Sequence, residues 1–284
     1  MKTGLVLEGG GMRGLYSVGV LDALMDAQIL PAYIIGVSAG AANAVSYIAG
    51  QRERGLTVNT RYAGDKRYAS FANFLRERSV FGMDFIFDEI PNKLVPLDFD
   101  ALLRAPCTFY AAVTDVQTGA PVYFEKAQMG RSCDIIRASS SLPVFSPMVQ
   151  IGGRKYLDGG VSDPIPVKRA LADGCARVVV VRTRPLDYVK IPEHGRVVYR
   201  RVLRDYPHMI AALDKRHIVY NDTCATLREL TWQGRALQIA PRTPLPVRRF
   251  EKDRRRLMAA YDMGFADAQA QMGDIRRMLD IQRA

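Results

Sequence analysis

Three short clusters in the sequence hold residue types suited to nucleophilic chemistry. The first, Gly36-Val37-Ser38-Ala39-Gly40, is a G-x-S-x-G between an apolar run that reads as a strand and a run that reads as a helix. A sharp strand-to-helix turn in that context projects a serine hydroxyl as a nucleophile, and Gly36 and Gly40 relieve clashes on either side. A helix N-cap serine would occupy the same junction, but the flanking glycines and a second cluster upstream favour the nucleophile. That second cluster, Gly9-Gly10-Gly11-Met12-Arg13-Gly14, also lies between an expected strand and an expected helix. It fits the G-x-G-x-x-G of dinucleotide-binding proteins, which requires an acid about 20 residues further on. Residues 33–38, where the second strand ends, contain none. The physics of the loop remains: glycines free backbone N–H groups to converge beside a helix N-terminus and bind negative charge, including a transient oxyanion.

An activated serine needs a base. His194, His208 and His217 follow no expected strand end and sit in no motif. The third cluster, Asp158-Gly159-Gly160, places a carboxylate at the end of an expected strand. Taken alone, an Asp-Gly pair reads equally well as a turn.

The elements that must position these residues follow from periodicity. Residues 5–7 and 33–35 are short apolar runs, each followed by glycines and then by apolar residues at helical spacing, over 15–25 and 39–48. A strand–helix–strand–helix order with tight turns implies a parallel sheet covered by helices. Residues 27–51 lack any charge, but Pro31, Gly36, Ser38, Gly40 and Asn43 make them a broken strand–turn–helix rather than a membrane span. Residues 52–105, rich in aromatic and basic side chains, read as a helical insertion, with Phe71, Phe74, Leu75 and Arg78 at helical spacing. Further strands are expected at 107–113, 121–124, 148–151, 155–157, 177–181 and 236–239, with short helices at 132–140 and 166–172.

Together the clusters resemble the patatin-like phospholipase family. The segment Ala138-Ser139-Ser140-Ser141-Leu142-Pro143 to Pro147 resembles that family's stretch before the aspartate strand, and the likeness covers about residues 4–182. The loop begins Glu8-Gly9 where plant members carry Asp-Gly, and Asp-Gly-Gly stands where Asp-Gly-Ala is usual. The resemblance implies a three-layer α/β/α fold with a mainly parallel central sheet. It also implies a Ser38–Asp158 dyad without histidine, acting on acyl esters of lipids. Gly9, Gly10, Gly11, Arg13 and Gly14 would form the oxyanion hole, the N–H groups of Gly10 and Gly11 donating. No metal or cofactor is implied, because the backbone stabilises the charge. A catalytic core over 1–182 and a basic, mostly helical region over 183–284 packed on it are the expected divisions.

Composition bounds the partners. Apolar residues make up 48% and charged residues 24%, which excludes disordered and collagen-like classes. The net charge of +11 is concentrated late: residues 1–181 carry 19 basic and 17 acidic side chains, and residues 182–284 carry 21 and 12. Arg196, Arg200, Arg201 and Arg204, then Arg248, Arg249, Lys252 and Arg254 to Arg256, supply much of it. These are either solvated helix faces or a docking surface for an anionic membrane. Nucleic acid has no motif to support it, and the single Trp232 gives no stacking platform. Four scattered cysteines suggest neither zinc nor a disulfide framework, and the N-terminus does not read as a signal peptide. The expectation is a cytoplasmic enzyme, peripheral on the inner face of the membrane. A soluble carboxylesterase or thioesterase for small acyl esters is the alternative, and a non-catalytic membrane-binding protein a third. The aromatic and basic segment 61–87 would then be a lid or acyl-groove wall, or an ordinary amphipathic helix on the core.

Overall fold

Alternating apolar side chains in the short strands bury both faces of one sheet. The computed structural model describes residues 1–70, 73–75 and 79–280; Phe71, Arg76 and Arg78, part of the expected insertion helix, lie outside them. Eight strands are ordered β5-β6-β3-β2-β1-β7-β8, with β4 paired to β3. β1 (Thr3–Leu7), β2 (Tyr33–Val37), β3 (Thr108–Asp115), β7 (Arg177–Val181) and β8 (Ala236–Ile239) run parallel. β4 (Pro121–Glu125), β5 (Val149–Ile151) and β6 (Arg154–Asp158) pair antiparallel.

Leu5, Leu7, Ile34, Val179 and Val181 face one layer of helices. Val6, Tyr33, Ile35, Val178 and Val180 face the other. The period of two separates these sets, and burial on both sides explains why the strands read as unbroken apolar runs. The first layer holds α1 (Gly14–Asp26), α2 (Ala39–Ile48), α4 (Phe99–Arg104), α5 (Asp134–Ser139) and α10 (Met272–Met278). The second holds α6 (Val167–Ala172) and the long α8 (Pro207–Trp232). The result is a three-layer α/β/α sandwich with a mostly parallel sheet.

The insertion between α2 and β3 holds α3 (Arg54–Arg61), a π-helical segment at Phe85–Leu94, and α4, with turns and an antiparallel bridge between Ala69 and Phe81 among its described residues. Beyond β7 come α7 (Arg196–Val202), α8, β8 and α9 (Arg254–Ala270). α9 crosses α1 in close contact. A Cβ on Gly19 would lie 2.1 Å from the Tyr261 carbonyl oxygen, and one on Gly264 would lie 2.0 Å from that of Tyr16. Tyr16 donates to Asp267 at 2.7 Å and Tyr261 to Asp22 at 3.0 Å, pinning the crossing on both sides. Cys107, Cys133, Cys175 and Cys224 are buried and unpaired.

The register of β3 sets up the site. β4 runs along one edge of β3. On the other edge β2 ends with Val37 opposite Ala112, and β6 begins pairing with Asp158 opposite Val113. The C-terminal ends of β2 and β6 therefore meet head to head, and the residues that follow them converge.

Candidate active site

Ser38, the residue after β2, has φ 54° and ψ −126°. A non-glycine residue held there carries about 1–3 kcal/mol of strain, maintained by its surroundings. The flanking glycines have no room for a side chain. A Cβ on Gly36 would lie 2.8 Å from the Ala41 nitrogen, and one on Gly40 would lie 2.6 Å from the Leu7 carbonyl oxygen. Ser139 braces the turn: its hydroxyl accepts from the Ser38 N–H at 2.8 Å and donates to the Ala112 carbonyl at 2.7 Å.

Asp158 ends β6 and is 2% exposed. The Ser38 hydroxyl donates to its Oδ2 at 2.6 Å, and the Gly160 N–H donates to its Oδ1 at 2.7 Å. Burial pushes its pKa above the usual carboxylate range, against the opposing pull of the Ser38 hydroxyl, Arg216 and the Gly160 N–H. Arg216, reaching over from α8, donates through Nε to the Gly160 carbonyl at 2.5 Å and through its terminal nitrogen to Glu193 at 2.7 Å. Gly159 is wedged against β3, where a Cβ would lie 2.2 Å from the Ala112 carbonyl oxygen.

The glycine loop sits beside Ser38. A Cβ on Gly9 would lie 3.1 Å from that of Ser38. Gly11 has φ +58°, and a Cβ there would lie 2.8 Å from the Arg249 carbonyl, which accepts from the Met12 N–H at 3.2 Å. Glu8 anchors the loop from beneath, accepting from the Thr183 N–H at 2.6 Å and the Tyr220 hydroxyl at 2.8 Å. The N–H groups of Gly10 and Gly11 donate to no protein acceptor among the described residues. Gly14 differs: it starts α1 and its N–H turns back to the carbonyls of Gly11 and Met12. Its carbonyl accepts from Asn43, so it positions α2 and is not an available donor.

Ser38 and Asp158 open into a cavity of about 210 Å³. One wall is apolar, with Phe81, Met83, Ile86, Phe87, Ile90 and Leu97 from the insertion. The lining also carries cationic side chains, Arg54 from the insertion and Arg13, Arg184, Lys190, Arg216 and Arg249 from elsewhere. Burial and the neighbouring Arg184 hold the Arg13 guanidinium down at about 10. His194, His208 and His217 do not line this cavity.

The family model for patatin-like phospholipases matches residues 5–171, more than half of the chain. The chain belongs to the patatin-like phospholipase family. A second model, for a domain of unknown function, matches residues 206–280. The chain is 35% identical to the uncharacterized protein YjjU of Escherichia coli over 197 residues, 68% of this chain and 55% of that one. It is 28% identical to the lysophospholipase nte1 of Aspergillus terreus over 195 residues, 66% of this chain and 12% of that one. The chain thus spans about half the length of YjjU and a small part of nte1. VipD from Legionella pneumophila superposes with a TM-score of 0.46 at 12% identity, covering 95% of this chain and 67% of that one.

Of the residues read from the patatin-like motifs, Ser38, Asp158, Gly9, Gly10, Gly11, Arg13 and Gly160 line this cavity. Gly36, Gly40 and Gly159 lie behind them as packing residues. Sequence reading singled out neither Ser139, Thr183 nor Arg216 for the site. It placed Arg249 on a solvated or docking face, whereas its stem turns inward over Gly11, 3.0 Å from the position of a Cβ there. The motif run around Ser139 was the available signal for one of these; the others carry none.

Proposed function

We propose that the chain is a serine lipid acyl hydrolase of phospholipase A or lysophospholipase type, with Ser38 as nucleophile and Asp158 as its base. The observation that carries this reading is the 2.6 Å contact between the hydroxyl and the carboxylate at a strained elbow. Ser38 Oγ attacks the ester carbonyl as its proton passes to Asp158 Oδ2. The N–H groups of Gly10 and Gly11 stabilise the oxyanion, each at about 3 kcal/mol, and Arg13 adds positive charge beside them. Asp158 then returns the proton to the departing alcohol. Water, giving a proton to the same carboxylate, attacks the acyl-Ser38 carbonyl; the bond to Ser38 Oγ breaks, Asp158 returns the proton to Oγ, and the fatty acid leaves. The raised pKa of Asp158 suits this shuttle, because a carboxylate of ordinary pKa is a weak base toward a serine. The apolar wall takes the acyl chain.

The family membership and the name of the fungal relative support a lipid substrate. Exposed Leu186, Val189, Ile191, Val197 and Val198, on and beside α7, support docking of the protein on an anionic membrane. No helix among the described residues is long and apolar enough to cross one.

Ser38→Ala tests the assignment. Hydrolysis of lysophospholipid should fall by about a thousandfold or more, with the melting curve retained. Substantial residual turnover would exclude Ser38 as nucleophile. The modest cavity favours a second reading, a soluble esterase or thioesterase for small acyl groups, since pockets for larger ligands run about 300–1,000 Å³. Turnover of short-chain esters in solution, with none on phospholipid vesicles, would select it.

A further inference from the structure

The cationic lining is larger than the reaction needs. Lys190 and Arg216 share the Glu193 carboxylate, at 2.8 and 2.7 Å. Arg13, Arg184 and Arg249 make no ion pair and no side-chain hydrogen bond among the described residues, and Arg13 Nε is buried without a partner. All three line the cavity and are at least half buried. Burial is the first cause that lowers the pKa of Arg13 and of Arg249; Arg184 and Arg249 lower Arg13 further and Arg216 and Arg184 lower Arg249 further, while Glu8 offsets part of the shift at Arg13, and Glu193 and Asp158 part of it at Arg249. The carboxylates on the same lining, Glu8 and Asp158, are already engaged by Thr183 and Tyr220 and by Ser38 and Gly160. Like charges gathered in a concave, partly desolvated site are costly unless an anion joins them.

We propose that Arg184 and Arg249, with Arg13, form a subsite for the phosphate of the substrate headgroup, so that the enzyme selects phosphate-bearing acyl esters over neutral ones. The proposal rests on the acyl-hydrolase reading for the identity of the substrate. In a glycerophospholipid the phosphate lies only a few bonds from the scissile ester, so a ligand with its carbonyl at Ser38 must place its charge on a neighbouring wall. Arg13, Arg184 and Arg249 line the same cavity as Ser38. Guanidinium groups match phosphate oxygens through parallel N–H donors. Arg184 is steadied by Tyr188, whose ring centroid lies 4.5 Å away. Arg249 is fixed by its backbone bond to Met12. Both belong to the region after β7, and Arg249 falls within the segment matched by the model of unknown function. That region thus sets headgroup choice while the motif-bearing part performs the chemistry.

The test compares two substrates with the same acyl chain, lysophosphatidylglycerol and monoacylglycerol, in mixed micelles. The wild type should prefer the first. In Arg184→Gln, Arg249→Gln and the double variant the ratio of kcat/KM values should fall about tenfold or more, through KM, with Arg→Lys at either position keeping part of it. An unchanged ratio in a folded double variant overturns the proposal. Glycerol 3-phosphate should compete with the phosphate-bearing ester. If inorganic phosphate instead alters turnover of both substrates without competing, the cluster is a free-phosphate site and the headgroup assignment fails. A binding arm separates this from failure of the hydrolase reading. Ser38→Ala protein should bind an ether-linked lysophospholipid more tightly than the matching ether-linked glycerol, and adding Arg184→Gln and Arg249→Gln should erase the difference. Selective binding without Ser38-dependent turnover would uphold the anion site and sink the hydrolase.

Discussion

Burial raises the Asp158 pKa above the ordinary carboxylate range, while the Ser38 hydroxyl, Arg216, the Gly160 N–H and Arg249 pull it back. The folded protein therefore holds this proton more tightly than the unfolded chain. Its contribution to stability is greatest below the unfolded carboxylate pKa, about 4, and is lost as pH rises through the raised folded value. Asp158→Asn removes that liability at the expense of the base. At neutral pH the variant should melt above the wild type, with the gap closing as pH falls toward the carboxylate range; a lower melting temperature would show the charged group to be stabilising. With Asp158 as the proposed base, kcat/KM should fall on the acid side as its carboxylate protonates. Arg216 acts through it as a positioning residue, holding the Gly160 carbonyl and adding positive charge. In Arg216→Gln the acid limb should shift to higher pH, and an unmoved limb would detach Arg216 from Asp158.

At the scale of elements, the fold depends on two glycines where α1 and α9 cross. The Cβ introduced by Gly264→Ala would meet the Tyr16 carbonyl oxygen at 2.0 Å. The helices must separate, at about 1–3 kcal/mol, read as a lower urea midpoint; an unchanged midpoint would mean that the crossing adjusts freely. This contact, between residues more than 200 positions apart, shows what the sequence conceals. The strands were legible because an unbroken apolar run is local, as in Leu5-Val6-Leu7, whose side chains are buried on both faces of the sheet. The elbow and the aspartate turn were legible because each concentrates its chemistry in three to five adjacent residues. Arg216, Ser139 and Thr183 reach the site across 56, 101 and 174 positions, and no local pattern marks them. Arg249 read as one more arginine in a basic run because neighbours such as Arg248 are exposed, and only tertiary folding turns its side chain inward.

Over the whole molecule, the charge of +11 divides by location. Arg13, Arg184 and Arg249 line the cavity. Arg201, Arg204, Arg254 and Arg255 are exposed on the surface. Binding to phosphatidylglycerol vesicles should weaken with added salt. Replacing Arg254, Arg255 and Arg256 by Gln should weaken it further, by about 1 kcal/mol for each arginine near the surface. Binding indifferent to both changes would return these arginines to a solvated surface.

The central claim, that Ser38 is a nucleophile activated by Asp158, is tested most directly by covalent capture. A fluorophosphonate probe reacts with a serine only where the hydroxyl is activated and an oxyanion can be stabilised. Peptide mapping after exposure of the full chain should place the adduct on Ser38, with labelling absent in Ser38→Ala and slowed to near background in Asp158→Asn. Labelling of Asp158→Asn at the wild-type rate, or an adduct on another serine, would contradict the dyad.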